Sequence, residues 1–409
     1  MRGVFSGALA LLVLASLSTG CASGRAARSG DSGMPYPPPE PPKPGDIRHL
    51  PTGLSVSVEG LMEMLSGARL VCIGETHDNL SDQRIELEVI RGLNRRFPGR
   101  VAIGMEMFRE PQQEVLDRWT RGELGELEFL KASRWHETWG FDYGAYMEIL
   151  RFARDERIDV IALNPPKEVQ DEVRSKGIDN LPEETRRKLP EIDDTDPWQR
   201  AALRGVFVGH AGKGEAAFEA FRRVQLLWEE TMAERVVGYL SSPRGEGKRM
   251  VTITGGWHAR YGFGLPKKAV RRKPMPYAVV LTEEISTPEQ KKGRMMETEV
   301  PDIPLLPADF VWYVPFESIG EKRVRMGIGM IEREGRLLVE SVTPKSPAEA
   351  AGMEPGDELV SFDGTPLTAA VDVAYLAGGK REGDTAEVVI ARGGERKTLT
   401  VTFFKMGGR

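Results

Sequence analysis

Four short apolar runs, each stopping on a residue capable of chemistry, constrain the fold of this chain more than any other feature. Leu70-Val71-Cys72-Ile73 leads into Gly74-Glu75-Thr76-His77-Asp78. Val101-Ala102-Ile103-Gly104-Met105 ends at Glu106, and Val160-Ile161-Ala162-Leu163 ends at Asn164. Val251-Thr252-Ile253-Thr254 runs through Gly255-Gly256-Trp257 to His258. Runs of this kind, separated by helical segments, predict central strands of a sheet covered on both faces. The intervening segments carry helical spacing. Ile85, Val89, Leu93 and Phe97 recur every four residues within 81–97, with Ser81 as N-cap, and Phe218, Phe221, Gln225, Trp228 and Met232 share a face within 215–240. Alternation of strand and helix predicts an α/β domain with a mostly parallel sheet flanked by helices. Ligands of such sheets sit outside the carboxyl ends of the strands. One pocket bordered by Glu75, His77, Glu106, Asn164 and His258 is therefore expected.

Two carboxylates and two imidazoles suit two kinds of chemistry. Glu75, His77, Glu106 and His258 could hold Zn, Mn, Co or Fe through oxygen and nitrogen. They equally suit metal-free acid–base work, with one carboxylate polarising a histidine. No Gly-x-Ser-x-Gly or His-Glu-x-x-His occurs to point to a separate catalytic centre.

A chain of 409 residues exceeds one ordinary domain, so two folded units with tails are expected. A net charge of -5 argues against a nucleic-acid partner. The local basic cluster Lys267, Lys268, Arg271, Arg272, Lys273 reads as a solvated surface. At the N-terminus, Arg2 precedes an apolar stretch from Ala8 to Leu17, of the length of a signal-peptide core. It ends at Leu17-Ser18-Thr19-Gly20-Cys21, which resembles a bacterial lipobox, with Ser18 where an apolar residue is usual. The resemblance implies removal of residues 1–21 as signal, lipidation of Cys21 and anchorage to a membrane by acyl chains. Ala22 after the cysteine suggests the outer membrane. Residues 22–48, rich in Ser, Gly, Arg and then Pro, read as an extended tether. Cys72 is the one other cysteine and is expected to pack as a small hydrophobe. The absence of Cys-x-x-Cys-His excludes covalent c-type haem attachment.

From about Ser318 the long helices give way to glycines and short alternating strands. Ser346-Pro347-Ala348-Glu349-Ala350-Ala351-Gly352-Met353-Glu354-Pro355-Gly356-Asp357-Glu358-Leu359-Val360-Ser361-Phe362-Asp363-Gly364 closely resembles a PDZ domain. The resemblance spans about 320–405 and places a small PDZ β-sandwich at 318–409. It implies an exposed edge strand that accepts a peptide, often a protein C-terminus, by β-augmentation. Met326, Gly327 and Ile328 match the family's carboxylate-binding loop, and the helix near Val371–Leu376 would form the opposite wall.

The first domain, 49–317, has its own resemblance. Gly74-Glu75-Thr76-His77-Asp78-Asn79, Gly104-Met105-Glu106-Met107-Phe108, Trp139-Gly140-Phe141-Asp142-Tyr143, Ala162-Leu163-Asn164-Pro165 and Gly255 through Pro266 look like the ChaN-like haem-binding lipoproteins. These group with Tiki and erythromycin-esterase-like proteins. The resemblance, from about residue 50 to 316, implies haem as cofactor, with tyrosine on iron and haem between the subunits of a homodimer. A phenolate is a hard anionic ligand suited to ferric iron. Tyr261 is the first candidate, followed by Tyr143 and Tyr146, while His258 or Arg260 would bond the propionates and His210 is a further candidate. The Tiki and esterase relatives imply an alternative, a metal-dependent hydrolase. A non-catalytic envelope scaffold built around the PDZ domain is the third reading.

Overall fold

The apolar runs become the interior of an eight-stranded sheet in the computed structural model, which describes residues 40–208, 214–287, 298–319 and 323–406. Its strands are β1 (Ile47–His49), β2 (Leu54–Val56), β3 (Leu70–Glu75), β4 (Val101–Arg109), β5 (Asp159–Asn164), β6 (Arg249–Gly255), β7 (Tyr277–Glu284) and β8 (Phe310–Val314). They lie in the order β2-β1-β8-β7-β3-β6-β4-β5. The six from β8 to β5 run parallel, and β1 joins β8 and β2 antiparallel. Ile47 and Arg48, assigned above to the tether, are strand residues. Their three-residue strand is too short to carry a periodic signal.

Side-chain alternation along each strand feeds two separate cores. Val71 and Ile73 face one, Leu70 and Cys72 the other, and all four are almost fully buried. The Cys72 thiol behaves as a hydrophobe, its pKa pushed up to about 12 by burial. Gly74 is required by packing: a Cβ there would lie 2.6 Å from Leu281 and 2.9 Å from the backbone of Gly256.

The helices that matter for the site are α1 (Leu80–Arg96), α2 (Glu126–Ser133), α3 (Tyr143–Asp155), α4 (Glu215–Ser241) and α5 (Leu265–Arg272). α1 is capped by Asn79, whose side chain accepts from the Ser81 N–H, rather than by Ser81. The basic cluster on α5 is not uniformly solvated: Lys268, Arg271 and Arg272 all bond the buried carboxylate of Glu230 on α4.

The second domain is an antiparallel sheet of β9 (Ile328–Arg333), β10 (Arg336–Val342), β11 (Glu358–Phe362), β12 (Thr365–Pro366), β13 (Thr385–Arg392) and β14 (Glu395–Thr402), with helix α6 (Ala370–Gly378). Its order is β14-β13-β11-β10-β9, with β12 on β11, so β9 is an edge. Among the described residues no helix is long and apolar enough to cross a membrane. Cys21, the signal sequence and His210 lie outside the described residues.

Candidate functional site

The four strands that end in chemistry are consecutive neighbours, β3-β6-β4-β5. Glu75 on β3 pairs in register with Gly255 on β6, and Met105, just before Glu106, pairs with Ile253. The chain order of the motifs is scrambled, yet parallel register brings their polar ends level. Gly255 lies at the meeting point. Its N–H donates to Glu106 Oε2 at 2.7 Å, and a Cβ there would come within 3.1 Å of His77 Nε2. Asn164 on β5 supports the same edge by donating to the Glu106 carbonyl at 2.7 Å.

Two carboxylate–imidazole pairs result. Glu75 Oε1 lies 2.7 Å from His77 Nδ1 and accepts from the Tyr146 hydroxyl at 2.6 Å, while its Oε2 accepts from Gln83. His258 stands between two acids, with Nε2 3.6 Å from Glu106 and Nδ1 3.3 Å from Glu229. Burial opposes a charged His258, but Glu106 and Glu229 outweigh it and raise its pKa to about 10. Burial likewise opposes a charged Glu106, yet His258, His77 and the Gly255 N–H lower its pKa to about 2. His77 follows the same logic, since Glu75 and then Glu106 overcome desolvation and raise its pKa. The pair Glu106–His258 is thus an internal ion pair. His77 is the more accessible imidazole, with 21% of its side chain exposed and its ring flanked by Trp139 at 4.9 Å and Phe141 at 5.0 Å. Behind Glu75 lie further acids. Asp82 is pushed up to about 8 and Glu86 well above the carboxylate range, in both cases chiefly by burial.

The expected metal set is corrected by this geometry. Glu75, His77, Glu106 and His258 do converge, but their donor atoms are turned on one another. Among the described residues no group of three or more His, Cys, Asp or Glu is arranged to hold a metal ion. Glu229 and Gln83 were not singled out from the sequence, and Tyr146, a candidate for iron, is bonded to Glu75 instead. The signal for Glu229 was there: it stands four residues after Gln225 and three before Met232, a charge on the apolar stripe of α4.

The three candidate tyrosines separate. Tyr146 on α3 is fully buried and bonded to Glu75, and burial, then Glu75 and Glu86, hold its proton far more tightly than usual. Tyr143, one turn earlier, faces the second domain. Tyr261 lies on an open groove of about 680 Å³ with Trp198, Phe263, Tyr277 and Leu305, bordered by Lys267 and Arg271. Its backbone is left-handed, at φ 58°, and its N–H donates to the Pro307 carbonyl at 2.8 Å. Such a conformation costs a non-glycine residue about 1–3 kcal/mol, and Arg134, Arg157, Glu334, Lys345 and Asp363 adopt a positive φ as well. Phe263 stacks on the Tyr261 ring at 5.6 Å. Neither His258 nor Arg260 borders this groove. His258 is interior, and Arg260 bonds Glu283 and lies over the Trp257 ring.

Known proteins share this architecture. The family described as haem-binding uptake, Tiki superfamily, ChaN matches residues 61–268, just over half of the chain, and a PDZ domain matches 324–403. The solved structure titled "Cofacial heme binding to ChaN of Campylobacter jejuni" superposes with a TM-score of 0.51 at 14% identity, covering 65% of this chain and 95% of that one. At that identity it shows the fold alone. Protein RETICULATA-RELATED 5, chloroplastic, of Arabidopsis thaliana is 25% identical over 291 residues, 64% of this chain and 36% of its own length. A probable periplasmic serine endoprotease DegP-like of Ectopseudomonas mendocina (strain ymp) is 36% identical over 72 residues, 18% of this chain and 15% of its own length. The chain thus spans only about a third or less of these curated relatives.

Proposed function

Since the chain belongs to the haem-binding uptake family of the Tiki superfamily that includes ChaN, we propose that it is a lipid-anchored envelope protein that binds haem on the Tyr261 groove and recruits a protein partner through its PDZ domain. The observation that carries this reading is Tyr261 itself, held left-handed on an open aromatic groove with two cations at its border. The residues suit the ligand: Tyr261 offers a phenolic oxygen to ferric iron, Trp198, Phe263 and Tyr277 offer faces to a flat ring, and Lys267 and Arg271 offer charge to propionates. Lys267 pairs with Asp196 at 2.5 Å and Arg271 with Glu191 at 3.0 Å. The pair of Arg271 with the exposed Glu191 is worth about 0–1 kcal/mol and yields readily to a competing anion, while the buried Glu230 keeps the guanidinium in place. Bound haem would supply an iron centre for that oxygen. The groove is open to solvent, which suits haem held between two copies of the chain. Haemin titrated into the purified protein is expected to give a saturable Soret change at a fixed ratio, and a change that grows linearly without saturation would end this reading.

Anchorage rests on the Cys21 motif, and the outer membrane on Ala22 after it. Cys21→Ser is expected to move the chain from the membrane fraction to the soluble fraction, and unchanged partitioning would remove the anchor.

A second reading is favoured by the Glu75–His77 and Glu106–His258 pairs. A partly exposed imidazole backed by a buried carboxylate can relay a proton, so metal-free hydrolysis of an ester or peptide fits these side chains. The donor atoms, turned on one another, are not arranged to hold a metal ion. Under this reading His77→Ala abolishes hydrolysis of a generic ester, and activity equal to the parent in that variant would dismiss it.

A further inference from the structure

From Lys43 onward the chain is one compact unit, and the two domains meet along α6. Val371 and Tyr375 of that helix pack on the hydrophobic core of the first domain. Polar contacts bracket the apolar one. Lys131 on α2 pairs with Asp372 at 2.5 Å and bonds the Thr368 hydroxyl at 3.0 Å, while Arg323 pairs with Asp142, the N-cap of α3, at 2.8 Å. Gly144 leaves the space in which the Arg323 guanidinium lies, since a Cβ there would fall 1.8 Å from it.

Between these contacts lies a cavity of about 670 Å³. One side is the peptide groove of the PDZ fold, between edge strand β9 and α6, closed by Met326-Gly327-Ile328. Its other side belongs to the first domain, where Leu130, Tyr143, Met147 and Arg151 line the same space. Two observations point to a ligand rather than a mere seam. Tyr143 is buried, with 5% exposure, and its hydroxyl has no hydrogen-bond partner among the described residues. Leaving such a group unpaired forfeits the hydrogen bonds that it made to water in the unfolded chain. The N–H groups of Met326 and Gly327 likewise find no backbone acceptor among the described residues, and the exposed Arg325 stands beside them. Gly327 holds this loop at φ 81°, with no room for a Cβ against Ser346. N–H groups without an acceptor among the described residues, beside an arginine, complement a carboxylate, and the open edge of β9 complements an extended backbone.

We propose that the peptide groove is a composite of both domains, in which Tyr143 donates a hydrogen bond to the end of a docked peptide bearing a free carboxylate and an apolar last residue. The proposal rests on the PDZ domain binding peptide, as read above, and adds that the first domain helps to select it. Leu130 and Met147 supply apolar surface for the last side chain. Tyr143 and Tyr146 lie one turn apart on α3, so the helix that meets the peptide also carries the hydroxyl bonded to Glu75.

The test uses the full chain and fluorescent octapeptides that differ in their last residue (Val, Leu, Phe, Ala, Asp), each as free acid and as carboxamide. The free acid of an apolar-ended peptide is expected to bind, its carboxamide to bind at least tenfold more weakly, and Tyr143→Phe to weaken the free acid about tenfold. Met147→Ala should change the ranking of last residues while circular dichroism stays that of the parent. Free-acid binding that is identical in the parent, Tyr143→Phe and Met147→Ala would overturn the composite site and leave ordinary PDZ binding intact. If no free-acid peptide binds the parent, the proposal and the peptide-binding reading beneath it fall together.

Discussion

Tyr261→Phe is expected to weaken haemin binding about a hundredfold, equivalent to roughly 2.8 kcal/mol. The substitution removes one oxygen and keeps the ring, so stacking on Phe263 and the shape of the groove are preserved. What disappears is the only atom of that side chain that can meet iron. The Soret maximum should shift as well, because the axial ligand changes. Two companion variants sharpen the result. Tyr146→Phe leaves haemin binding unaltered, since that hydroxyl is interior and committed to Glu75. Tyr143→Phe also leaves it unaltered, since that ring lines the cavity against the second domain. Equal spectra and affinities for the parent and Tyr261→Phe would remove this tyrosine from the iron. A loss confined to Tyr143→Phe would move the ligand to the domain boundary.

The order of these tyrosines was legible before the structure only in part. Tyr143 and Tyr146 fall three apart on an amphipathic helix, which equally describes core packing, and the structure places both inside. Tyr261 follows a strand in a glycine-rich segment where periodicity is silent. Its groove draws Trp198 from the first turn of the helix Pro197–Phe207 and Leu305 from a remote loop, and no local pattern connects them to it. The central sheet was far more readable. An apolar run such as Leu70–Ile73 has one cheap solution, burial on both faces, and its polar end must then lie at the rim. Convergence of Glu75, Glu106 and His258 followed from that alone. Whether donor atoms face a guest or one another depends on rotamers and neighbours such as Glu229 and Tyr146. Spacing along the chain does not encode those, and the metal expectation failed there. The second domain was legible by its motif, but its contact with α2 and α3 was not. Residues such as Lys131 and Asp142 look like ordinary surface charges until the two folds are placed together.

Glu106→Gln is expected to destabilise the first domain by about 3–5 kcal/mol, because it leaves His258 buried with half of its countercharge gone. For a unit of this size that is a fall in Tm of roughly 6–20 °C. The pH dependence follows from the two shifts. His258 has a pKa raised to about 10, so its contribution is full below its ordinary value of 6.5 and is lost as pH rises through 10. Glu106 has a pKa lowered to about 2, so its contribution is full above its ordinary 4.5 and is lost as pH falls through 2. Both are complete between about 4.5 and 6.5, and thermal melts should show the largest gap between parent and variant in that window. The gap should narrow towards pH 10, as His258 in the parent loses its proton. Adding His258→Gln to Glu106→Gln is expected to recover part of the loss, since it removes the undercompensated charge, although Glu229 then loses its imidazole partner and retains Gln199, at 2.5 Å. Additive losses in the double variant, or a gap that widens above pH 9, would show that Glu106 and His258 do not act as a charged pair. The nearby His77 should respond in the same direction and more weakly, since Glu75 raises its pKa more than Glu106 does.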